Sequence, residues 1–435
     1  MIRTVRTERI DDERPLLSIL GDLQPLPSDT SADTRAVFVH DGDGLVSAGS
    51  ATEVVVPAEP GALRIAREAF TAIAAGATIE DPLRLPGTGL VAVGSFAFDP
   101  VASTASSVLR IPRTVIGRRD GVTWRTVVTT TDDAVGDTVP TDPTGSDSSI
   151  SAPSGAGSPT EDPDRPRYAG STLDDAEWLD VVARAVTAIR DGRAEKVVLA
   201  RDVRLWSRSP FRTSTILEAL AQRFPSCFTF LIDGLVGASP ELLLRRTGDA
   251  VASRVLAGTA PRGSDPDHDE QLGAELLASE KDRWEHDLAA RSVTEALSRV
   301  CRAVDAPAEP SLVRLDNVQH LGSDVTGLLD APVHILDLLD VLHPTAAVAG
   351  TPREESLELI RELEGMDRGR YSGPVGWCDA DGDGEFAIAL RCAEIDGTRA
   401  RLFAGAGIVD GSLPEAELME TWLKLRAMTG VLTGP

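Results

Sequence analysis

The chain has 435 residues, and its 68 acidic side chains outnumber the 43 lysines and arginines by 25 charges. Hydrophobic residues make up 42% of the sequence, which allows a sizeable core and excludes a chain that is disordered throughout. The negative charge repels phosphate backbones, so we expect no nucleic-acid partner. The longest apolar runs, such as 89–98, are about half of the ~20 residues that cross a bilayer, and residues 1–21 lack the apolar segment of a secretory signal. We therefore expect a cytoplasmic protein that does not associate with membranes.

The first part of the sequence has two compositions. Residues 1–130 contain strand-like runs at 36–40, 90–98 and 122–129 and one amphipathic helix at 60–75. Residues 131–167 are rich in Asp, Ser, Thr, Gly and Pro and have few large apolar side chains, so they cannot bury enough surface to offset their ordering entropy. We interpret them as an acidic, disordered insertion between an N-terminal β-rich part and a catalytic core at 168–435.

The core has a regular pattern of helices and strands. The sequence predicts, in chain order, a helix at 173–191, a strand at 196–206, a helix at 214–223, strands at 227–233 and 235–246, a long helix at 270–304, a strand at 311–329, helices at 334–342 and 353–364, a hairpin at 375–408 and a helix at 413–431. Helices and mostly antiparallel strands alternate without a βαβ rhythm. This arrangement predicts an α+β fold.

Several metal and nucleotide motifs are excluded. The four cysteines have no CxxC spacing and the six histidines no HExxH or HxH pair, so a zinc site is not expected. The Asp-rich stretch 379–384 is followed by Leu390 where a calcium loop needs a glutamate, and it is interpreted as a hairpin turn. Gly405 and Gly407 lack the third glycine of a dinucleotide loop.

Lysine is rare in this chain. Lys196, Lys281 and Lys424 are the only lysines, and every other basic residue is arginine. Acid-rich, lysine-poor proteins are typical of salt-adapted cells, although GC-rich codon usage produces the same bias. Under both interpretations, a lysine that remains is expected to do something that arginine cannot.

Two pairs of carboxylates stand out on predicted helices. Asp282 and Glu285 are three residues apart and share one helix face, as do Glu417 and Glu420. Each pair alone is typical of a solvated surface, but each adjoins a rare lysine. If the two helices meet, the four side chains form an all-oxygen site for Mg²⁺.

A lysine and a glutamate suggest acid–base chemistry. Lys196 begins a predicted strand, where the ordinary interpretation is a lysine guarding a sheet edge. Glu241 lies in a largely apolar strand, and a buried carboxyl group without a partner is usually protonated. A neutral glutamate near a neutral lysine would be a general acid facing a general base. Such a lysine should be shielded from solvent and close to positive or apolar groups.

Ten segments together resemble one family. In the same order along the chain, they are similar to segments of the chorismate-utilising enzymes, and among these most similar to isochorismate synthases. The segments are 196–201, 239–245, 256–263, Ser279-Glu-Lys-Asp-Arg-Trp-Glu-His286, 318–323, His343-Pro-Thr345, Arg368-Gly-Arg-Tyr-Ser-Gly373, 388–395, 403–409 and 417–424. The resemblance covers about residues 170–430. It implies two stacked, mostly antiparallel sheets with outer helices, and a Mg²⁺-dependent enzyme that converts chorismate to isochorismate by adding water at ring C2 and releasing the C4 hydroxyl.

The resemblance also implies residue roles. Lys196 matches the base that activates water, and Glu241 matches the acid that protonates the leaving hydroxyl. The implied Mg²⁺ ligands are Glu285 and Glu420, with Asp282 and Glu417 holding metal-bound waters or serving as further ligands. Asp282 departs from the Glu of some relatives, so its role is the least defined. The implied substrate-binding positions are Arg391, Lys424, the backbone amides of Gly405 and Gly407, the ring-lining Ala257, Gly258 and Thr259, and the nearby His320 and Thr345.

Relatives on the same scaffold provide the alternatives. Anthranilate synthase component I usually has Gln at the position of Lys196, and aminodeoxychorismate synthases commonly have Lys at that of Ala257. Salicylate synthases keep the lysine and go on to eliminate pyruvate, and Tyr371-Ser372-Gly373 suits them, whereas 374–378 favours isochorismate synthases. A non-catalytic binding paralogue should have lost the acid, the base or the metal ligands. We expect a monomer without a glutaminase subunit, acting in menaquinone biosynthesis in a salt-adapted cell.

The charge gives a first testable prediction. If the excess acidic residues form like-charge surface patches, their repulsion reaches about 30 Å at 0.01 M salt and about 3 Å at 1 M. The melting temperature should therefore rise with KCl up to molar concentration, and neutral crowding agents should not replace the salt because excluded volume contributes only ~0.2–1 kcal/mol. A melting temperature that stays flat between ~0.1 and ~2 M KCl would show that the acidity has another origin.

Overall fold

The computed structural model describes residues 1–23, 34–131, 133 and 165–434. Most of the predicted insertion at 131–167 lies outside these residues, so its disorder stays a prediction. The N-terminal elements are β1 (Ile2–Arg9), α1 (Leu16–Leu20), β2 (Ala36–His40), β3 (Asp43–Val56), α2 (Ala62–Ala75), β4 (Thr78–Glu80), β5 (Val91–Ser95), β6 (Ser107–Arg119) and β7 (Val122–Thr130). The strands predicted at 36–40, 90–98 and 122–129 and the helix predicted at 60–75 are all present.

The elements after the insertion keep the predicted order, but three predicted elements are divided, the predicted hairpin at 375–408 contains four strands, and the strands at 167–168, 250–261 and 350–351 were not predicted. The elements are β8 (Arg167–Tyr168), α3 (Asp175–Arg190), β9 (Lys196–Trp206), α4 (Thr213–Arg223), β10 (Phe228–Ile232), β11 (Leu235–Ser239), β12 (Leu242–Thr247), β13 (Ala250–Pro261), α5 (Pro266–Ala278), α6 (Glu280–Leu297), β14 (Cys301–Asp305), β15 (Ser311–Arg314), β16 (Val318–Leu329), α7 (Ile335–Leu342), β17 (Gly350–Thr351), α8 (Arg353–Leu363), β18 (Pro374–Asp379), β19 (Gly384–Ile388), β20 (Cys392–Asp396), β21 (Arg399–Ile408) and α9 (Pro414–Thr433). None of the helices in the described ranges has both the length and the apolar character needed to cross a membrane.

The long helix predicted at 270–304 is wrong. Two helices occupy its first part, and Ser279 separates them in an extended conformation while its hydroxyl caps α6 by accepting from the backbone N–H of Asp282 at 3.2 Å. The last residues of the predicted helix form β14. Helical periodicity continues across Ser279, and only the serine, a preferred N-cap, signals the break.

The predicted strand at 235–246 is also divided, because Pro240 and Glu241 separate β11 from β12. Proline has no N–H to donate to a sheet ladder, so the interruption falls at the residue where the ladder would lose a bond. The predicted strand at 311–329 is likewise divided into β15 and β16. The stretch 379–384 is the β18–β19 hairpin connection, as predicted.

The α+β class is confirmed, with antiparallel strands and helices around them. In the described residues the strands form one continuous hydrogen-bonded network. Every pairing is antiparallel except that of β1 with β4. The pairing that positions the site joins β9 to β21, with Val197 opposite Ile408 and Ala200 opposite Gly405. At its start, β9 also pairs with β17, where Lys196 lies opposite Thr351.

Buried side chains form three apolar clusters between the strands and the helices. The largest gathers residues of α3, α7 and α8, including Trp178, Leu339 and Ile360. The second holds α4 and α9 against the sheet, and the third contains Tyr371 and Phe403. The rings of these two residues stack with centroids 4.8 Å apart and an interplanar angle of 7°.

A buried ion pair ties the start of β9 to the loop after α7. Arg368 Nε donates to Glu364 Oε2 at 2.9 Å, and its other nitrogens donate to the carbonyl oxygens of Val348 at 2.9 Å and Val198 at 2.7 Å. Glu364 Oε1 accepts from the backbone N–H of Ala200 at 2.7 Å. Burial raises the pKa of Glu364 and Arg368 opposes the rise. The pair therefore satisfies backbone groups of two segments that also bond to each other directly, through the Val198 N–H and the Ala349 carbonyl oxygen at 2.8 Å.

Loss of this arginine should be costly. Arg368→Met leaves the buried Glu364 carboxyl group without its counter-charge, and we expect a loss of about 3–5 kcal/mol in the free energy of unfolding. The matched control is Arg190→Met, which breaks an exposed pair with Asp410 at 2.6 Å and should cost less than about 1 kcal/mol. Denaturant unfolding in high KCl measures both. Equal losses of unfolding free energy in the two variants would contradict a structural role for the buried pair.

Candidate active site

Lys196 is completely buried at the first position of β9. Gly350, in the segment paired with it, has a φ of +138°, and a Cβ there would overlap the Lys196 carbonyl oxygen, so this position requires glycine. The shielding from solvent agrees with the sequence-based expectation. The structure also brings a carboxylate that the sequence did not predict, since Glu285 Oε1 lies 3.2 Å from Lys196 Nζ. The nearest charged neighbour of the predicted base is thus a predicted metal ligand.

A cavity with a void volume of about 660 Å³, its open mouth included, lies beside this pair. Its lining combines charged side chains, backbone groups and aromatic rings, which is typical of a small-molecule site. Of the predicted site residues, those that line the cavity are Glu241, Ala257, Gly258, Thr259, Glu285, His320, Arg391, Gly405, Gly407 and Lys424. These residues come from seven separate segments of the sequence, and the fold brings them together at one cavity.

Other predicted residues do not line the cavity. Lys196 stands directly behind its wall, since a Cβ on Gly407 would overlap Glu285 Oε1 and lie 3.2 Å from Lys196 Cε. Asp282, Glu417 and Glu420 lie outside the lining too. Thr345 is buried and does not line the cavity either, and its hydroxyl has no hydrogen-bond partner among the described residues, so its assignment to the substrate stays a prediction.

The strand β13 bends at the cavity. The register between β13 and β16 shifts at Gly258, whose φ of +75° is in the left-handed region, and Thr259 then lies opposite His320. A Cβ on Gly258 would stand 3.1 Å from the Asp282 Cβ, so the glycine lets α6 approach the strand closely. The bend aims the backbone of residues 257–259 into the cavity.

Arg391 brings an unpaired positive charge to the cavity. Its Nη2 donates to His320 Nε2 at 3.0 Å, and no carboxylate lies within ion-pair distance of it in the described part of the chain. Since a guanidinium can only donate, Nε2 of the histidine accepts, and the proton is assigned to Nδ1, which faces the Gly258 carbonyl oxygen at 3.2 Å. Burial and then Arg391 lower the pKa of His320 well below its ordinary value. The histidine is therefore neutral, and the guanidinium is left to bind an anion.

Glu241 is held in its neutral form. Burial raises the pKa of its carboxyl group to about 8, against the opposing influence of the Leu256 N–H and of Lys196, Lys424 and Arg391. The Leu256 N–H donates to Glu241 Oε1 at a long 3.4 Å. The break between β11 and β12 leaves this residue outside both strands, so its side chain reaches the cavity. At neutral pH Glu241 can donate a proton.

All three lysines of the chain contact the predicted carboxylate cluster. Besides the Lys196–Glu285 contact, Lys281 Nζ lies 2.8 Å from Glu417 Oε1, and Lys424 Nζ lies 2.6 Å from Glu420 Oε1. Lys424 Nζ also donates to the Gly405 carbonyl oxygen at 2.9 Å. The fourth carboxylate, Asp282, accepts a hydrogen bond from the hydroxyl of Ser279.

The four carboxylates fit Mg²⁺ in donor chemistry, because oxygen ligands are what this ion takes in proteins. Burial raises the pKa of Glu417 and Glu420 raises it further, while burial together with Glu285 and Glu420 raises that of Asp282, so the groups lie within each other's electrostatic reach. Across the described ranges, no three His, Cys, Asp or Glu side chains are grouped as ligands of one ion. Instead, three of the four carboxylates lie within ion-pair distance of a lysine. The metal site stays a prediction.

Sequence reasoning missed two aromatic lining residues. Phe403 and the Tyr371 that stacks on it both line the cavity, as does Ser372. Phe403 could have been found by strand alternation, because it shares a sheet face with Gly405 and Gly407. Tyr371 follows β17 and α8 in an irregular segment, where no periodicity predicts the direction of a side chain. Burial raises the pKa of its hydroxyl to about 12, so it stays protonated.

An α+β chain with a cavity beside a buried acid, a buried lysine and an unpaired guanidinium is typical of an enzyme acting on a small anionic molecule. The comparison with known families defines the class: residues 22–433 match the profile of the chorismate binding enzymes, and the chain belongs to this family.

Individual relatives are similar to different extents. The isochorismate synthase DhbC of Bacillus subtilis is 44% identical over 264 residues, which are 58% of this chain and 66% of that protein, just under two thirds of its length. Among solved structures, a DhbC of Bacillus anthracis described as 2,3-dihydroxybenzoate-specific has a TM-score of 0.74 at 29% identity, covering 96% of this chain and 99% of the other. MenF of Escherichia coli, a menaquinone-specific isochorismate synthase, has a TM-score of 0.74 at 26% identity, covering 98% and 94%.

The raised pKa of Glu241 has a consequence for stability. The unfolded chain ionises this group from about its ordinary value of 4.5, while the folded chain keeps the proton up to about 8, so folding stability should fall as the pH rises through this window. Glu241→Gln cannot ionise and should be more stable than the wild type by about 1–4 kcal/mol near pH 8.5, and equal to it near pH 4.5.

Thermal or denaturant unfolding of the two proteins across this pH range measures the difference. The matched control is Glu355→Gln, a change at an exposed position of α8 that should leave the pH dependence as in the wild type. A constant difference between Glu241→Gln and the wild type at all pH values would contradict the assignment of a neutral Glu241.

Proposed function

We propose that this chain is an isochorismate synthase that converts chorismate to isochorismate. The observation that carries the proposal is the cavity in which Glu241 is neutral and Arg391 lacks a carboxylate partner, with Lys196 buried directly behind the wall. The ordered resemblance of the site segments and the similarity to DhbC and MenF support it.

The cavity residues suit a substrate with two carboxylates. The guanidinium of Arg391 is desolvated and unpaired, so an anionic group would restore its charge balance and gain a charge-assisted hydrogen bond. Lys424 supplies a second cation at the wall. The backbone amides of Gly405 and Gly407 on β21 are the further donors that we assign to substrate binding. Tyr371 and Phe403 give the ring of the substrate an apolar side.

The proposed reaction balances without an oxidant or reductant. Lys196 takes a proton from water, the water oxygen bonds to ring C2, both ring double bonds shift (C1=C2 to C1=C6 and C5=C6 to C4=C5), and the C4 hydroxyl leaves with the proton of Glu241. One water enters and one leaves, so the product is an isomer of the substrate. Lys196 then carries the extra proton and Glu241 lacks one, and the enzyme is reset when these protons are exchanged with solvent.

The residue that we assign as the base lies beside a residue that we assign to the metal. The Glu285 carboxylate is 3.2 Å from the Lys196 amine. We assign Glu285 and Glu420, with Asp282 and Glu417, to holding Mg²⁺, and the bound ion would offset the negative charge of these groups and of a substrate carboxylate.

A salicylate synthase is the second candidate. Such an enzyme forms isochorismate and then eliminates pyruvate, and the position of Tyr371 and Ser372 in the cavity wall is the observation that favours it. Anthranilate synthase component I, which adds ammonia, is disfavoured by Lys196.

We propose that the product is used in menaquinone biosynthesis, and the likeness to MenF supports this route. The equal TM-score of DhbC supports a 2,3-dihydroxybenzoate route instead. Complementation of strains that lack either synthase separates the two routes. A monomeric state, the absence of a glutaminase subunit and adaptation to salt stay predictions.

The direct test is product analysis. The purified protein is incubated with chorismate and MgCl₂ in high KCl, with and without ammonium, and the products are separated by chromatography. Isochorismate alone supports the proposal. Salicylate with pyruvate would support the second candidate, anthranilate the third, and unchanged chorismate would contradict all three.

The role of Lys196 gives a kinetic prediction. Lys196→Ala and the charge-retaining Lys196→Arg should both lose turnover by ~10²-fold or more, because neither side chain can accept a proton from water near neutral pH. Circular dichroism and melting in high KCl show whether the variants are folded. Near-normal turnover of folded Lys196→Arg would mean that the lysine provides only charge, and the proposed base would be wrong.

A further inference from the structure

Lys281 differs from the other two lysines in having no contact with the cavity. Lys196 stands behind the cavity wall and Lys424 is part of it, whereas Lys281 lies on α6 outside the lining. Within the described residues, the one hydrogen bond of its side chain is from Nζ to Glu417 Oε1 at 2.8 Å. Its side chain is 36% exposed, while that of Glu417 is 2% exposed. The lysine thus reaches from the surface to a buried carboxylate.

The buried carboxylate needs a counter-charge. Glu417 lies three residues before Glu420 on α9, and the charge of Glu420 raises its pKa. An uncompensated buried carboxylate is costly, so in the arrangement described here Lys281 stabilises the chain. The same lysine also feels Glu285 and Glu420, so its charge acts on the cluster as a whole.

A divalent cation at these carboxylates would change which positive charge neutralises them. It would supply the counter-charge that Lys281 now gives to Glu417, and it would repel the ammonium group. Because ammonium and metal compete for the same oxygen, the strength of the lysine contact sets part of the cost of binding the metal.

The choice of lysine fits such a competition. Nearly all basic residues of this chain are arginine, and the ion pairs elsewhere in the described residues are almost all made by arginine. Arginine can hold a carboxylate through two parallel hydrogen bonds, whereas lysine is a point charge on a flexible stem. A lysine can withdraw from Glu417 at lower cost than an arginine.

We propose that Lys281 is an exchangeable counter-ion of the carboxylate cluster, which holds Glu417 while no metal is bound and yields it when Mg²⁺ binds. Because it competes with the ion for Glu417, the lysine lowers the affinity of the site for Mg²⁺. The inference rests on the metal site of the proposed function. It makes Lys281 a residue that acts through Glu417, without contact to the substrate.

The test uses the full chain, stripped of metal with EDTA and dialysed into a fixed high KCl concentration. Calorimetric titration with MgCl₂ gives the affinity, and melting with and without MgCl₂ gives the stability of each state. The variants are Lys281→Met, which removes the charge from a side chain of similar length, and Lys281→Arg, which can donate two parallel hydrogen bonds to the Glu417 carboxylate. Arg283→Met is the control, because it removes an equal charge from the same helix, where Arg283 faces Glu309 at 3.7 Å.

The two variants should shift in opposite directions. Lys281→Met should bind Mg²⁺ about fivefold or more tightly than the wild type and melt at a lower temperature without metal. Lys281→Arg should bind Mg²⁺ more weakly and melt no lower than the wild type, and Arg283→Met should leave the Mg²⁺ affinity unchanged. Unchanged or weaker Mg²⁺ binding by Lys281→Met overturns the exchange while the metal site stands. A wild type without a titration heat or a melting shift in MgCl₂ overturns the metal site and the exchange together.

Discussion

Lys196 and Glu285 come from a strand and a helix that are distant in sequence, and their side chains meet at 3.2 Å where solvent is excluded. The contact requires three pieces of structure at once. The pairing of β9 with β21 places Gly407 beside the lysine, the left-handed Gly258 allows α6 to approach β13, and Ser279 begins α6 so that Glu285 points inward. A Cβ on Gly407 would overlap Glu285 Oε1, and a Cβ on Gly258 would stand 3.1 Å from the Asp282 Cβ on α6.

Charge in this molecule is distributed in two ways. The chain as a whole carries a large acidic excess, whereas the site balances its carboxylates with the few lysines that the chain has. Arginine performs the structural work, as in the Glu364–Arg368 pair that fixes the backbone on two sides of the cavity. The unpaired Arg391 is the exception, and its isolation from carboxylates is what makes the cavity receptive to an anion.

Much of the fold and the site could be predicted from sequence, for reasons that differ between elements. Amphipathic periodicity located most helices, and β9 was predicted at its observed bounds because a run of apolar residues follows Lys196. Periodicity failed at Ser279 and Pro240, where a single residue interrupts a pattern that continues beyond it. The lining residues came from an ordered resemblance across many segments, and none of these segments alone specifies which side chains face one cavity.

Other features depend on three-dimensional neighbours and leave no local pattern. Thr345 is buried outside the lining of the cavity, although Ala347 and Val348 line it. The approach of Glu285 to Lys196 is a property of two elements brought together, and the sequence did not predict it. The stacked Tyr371 and Phe403 belong to the same category, since one of them lies in an irregular segment.

The confinement of lysine to this site has a consequence for covalent chemistry on the protein. Amine-directed reagents, such as activated esters used for fluorophores, crosslinkers and surface attachment, find primary amines only at the chain's first residue and at these three side chains. Lys196 is closed to solvent, Lys424 is 19% exposed and Lys281 is 36% exposed. A reagent that modifies an internal amine would therefore react first beside the carboxylate cluster, and the extent of its reaction would report on that cluster with almost no background from the remaining surface.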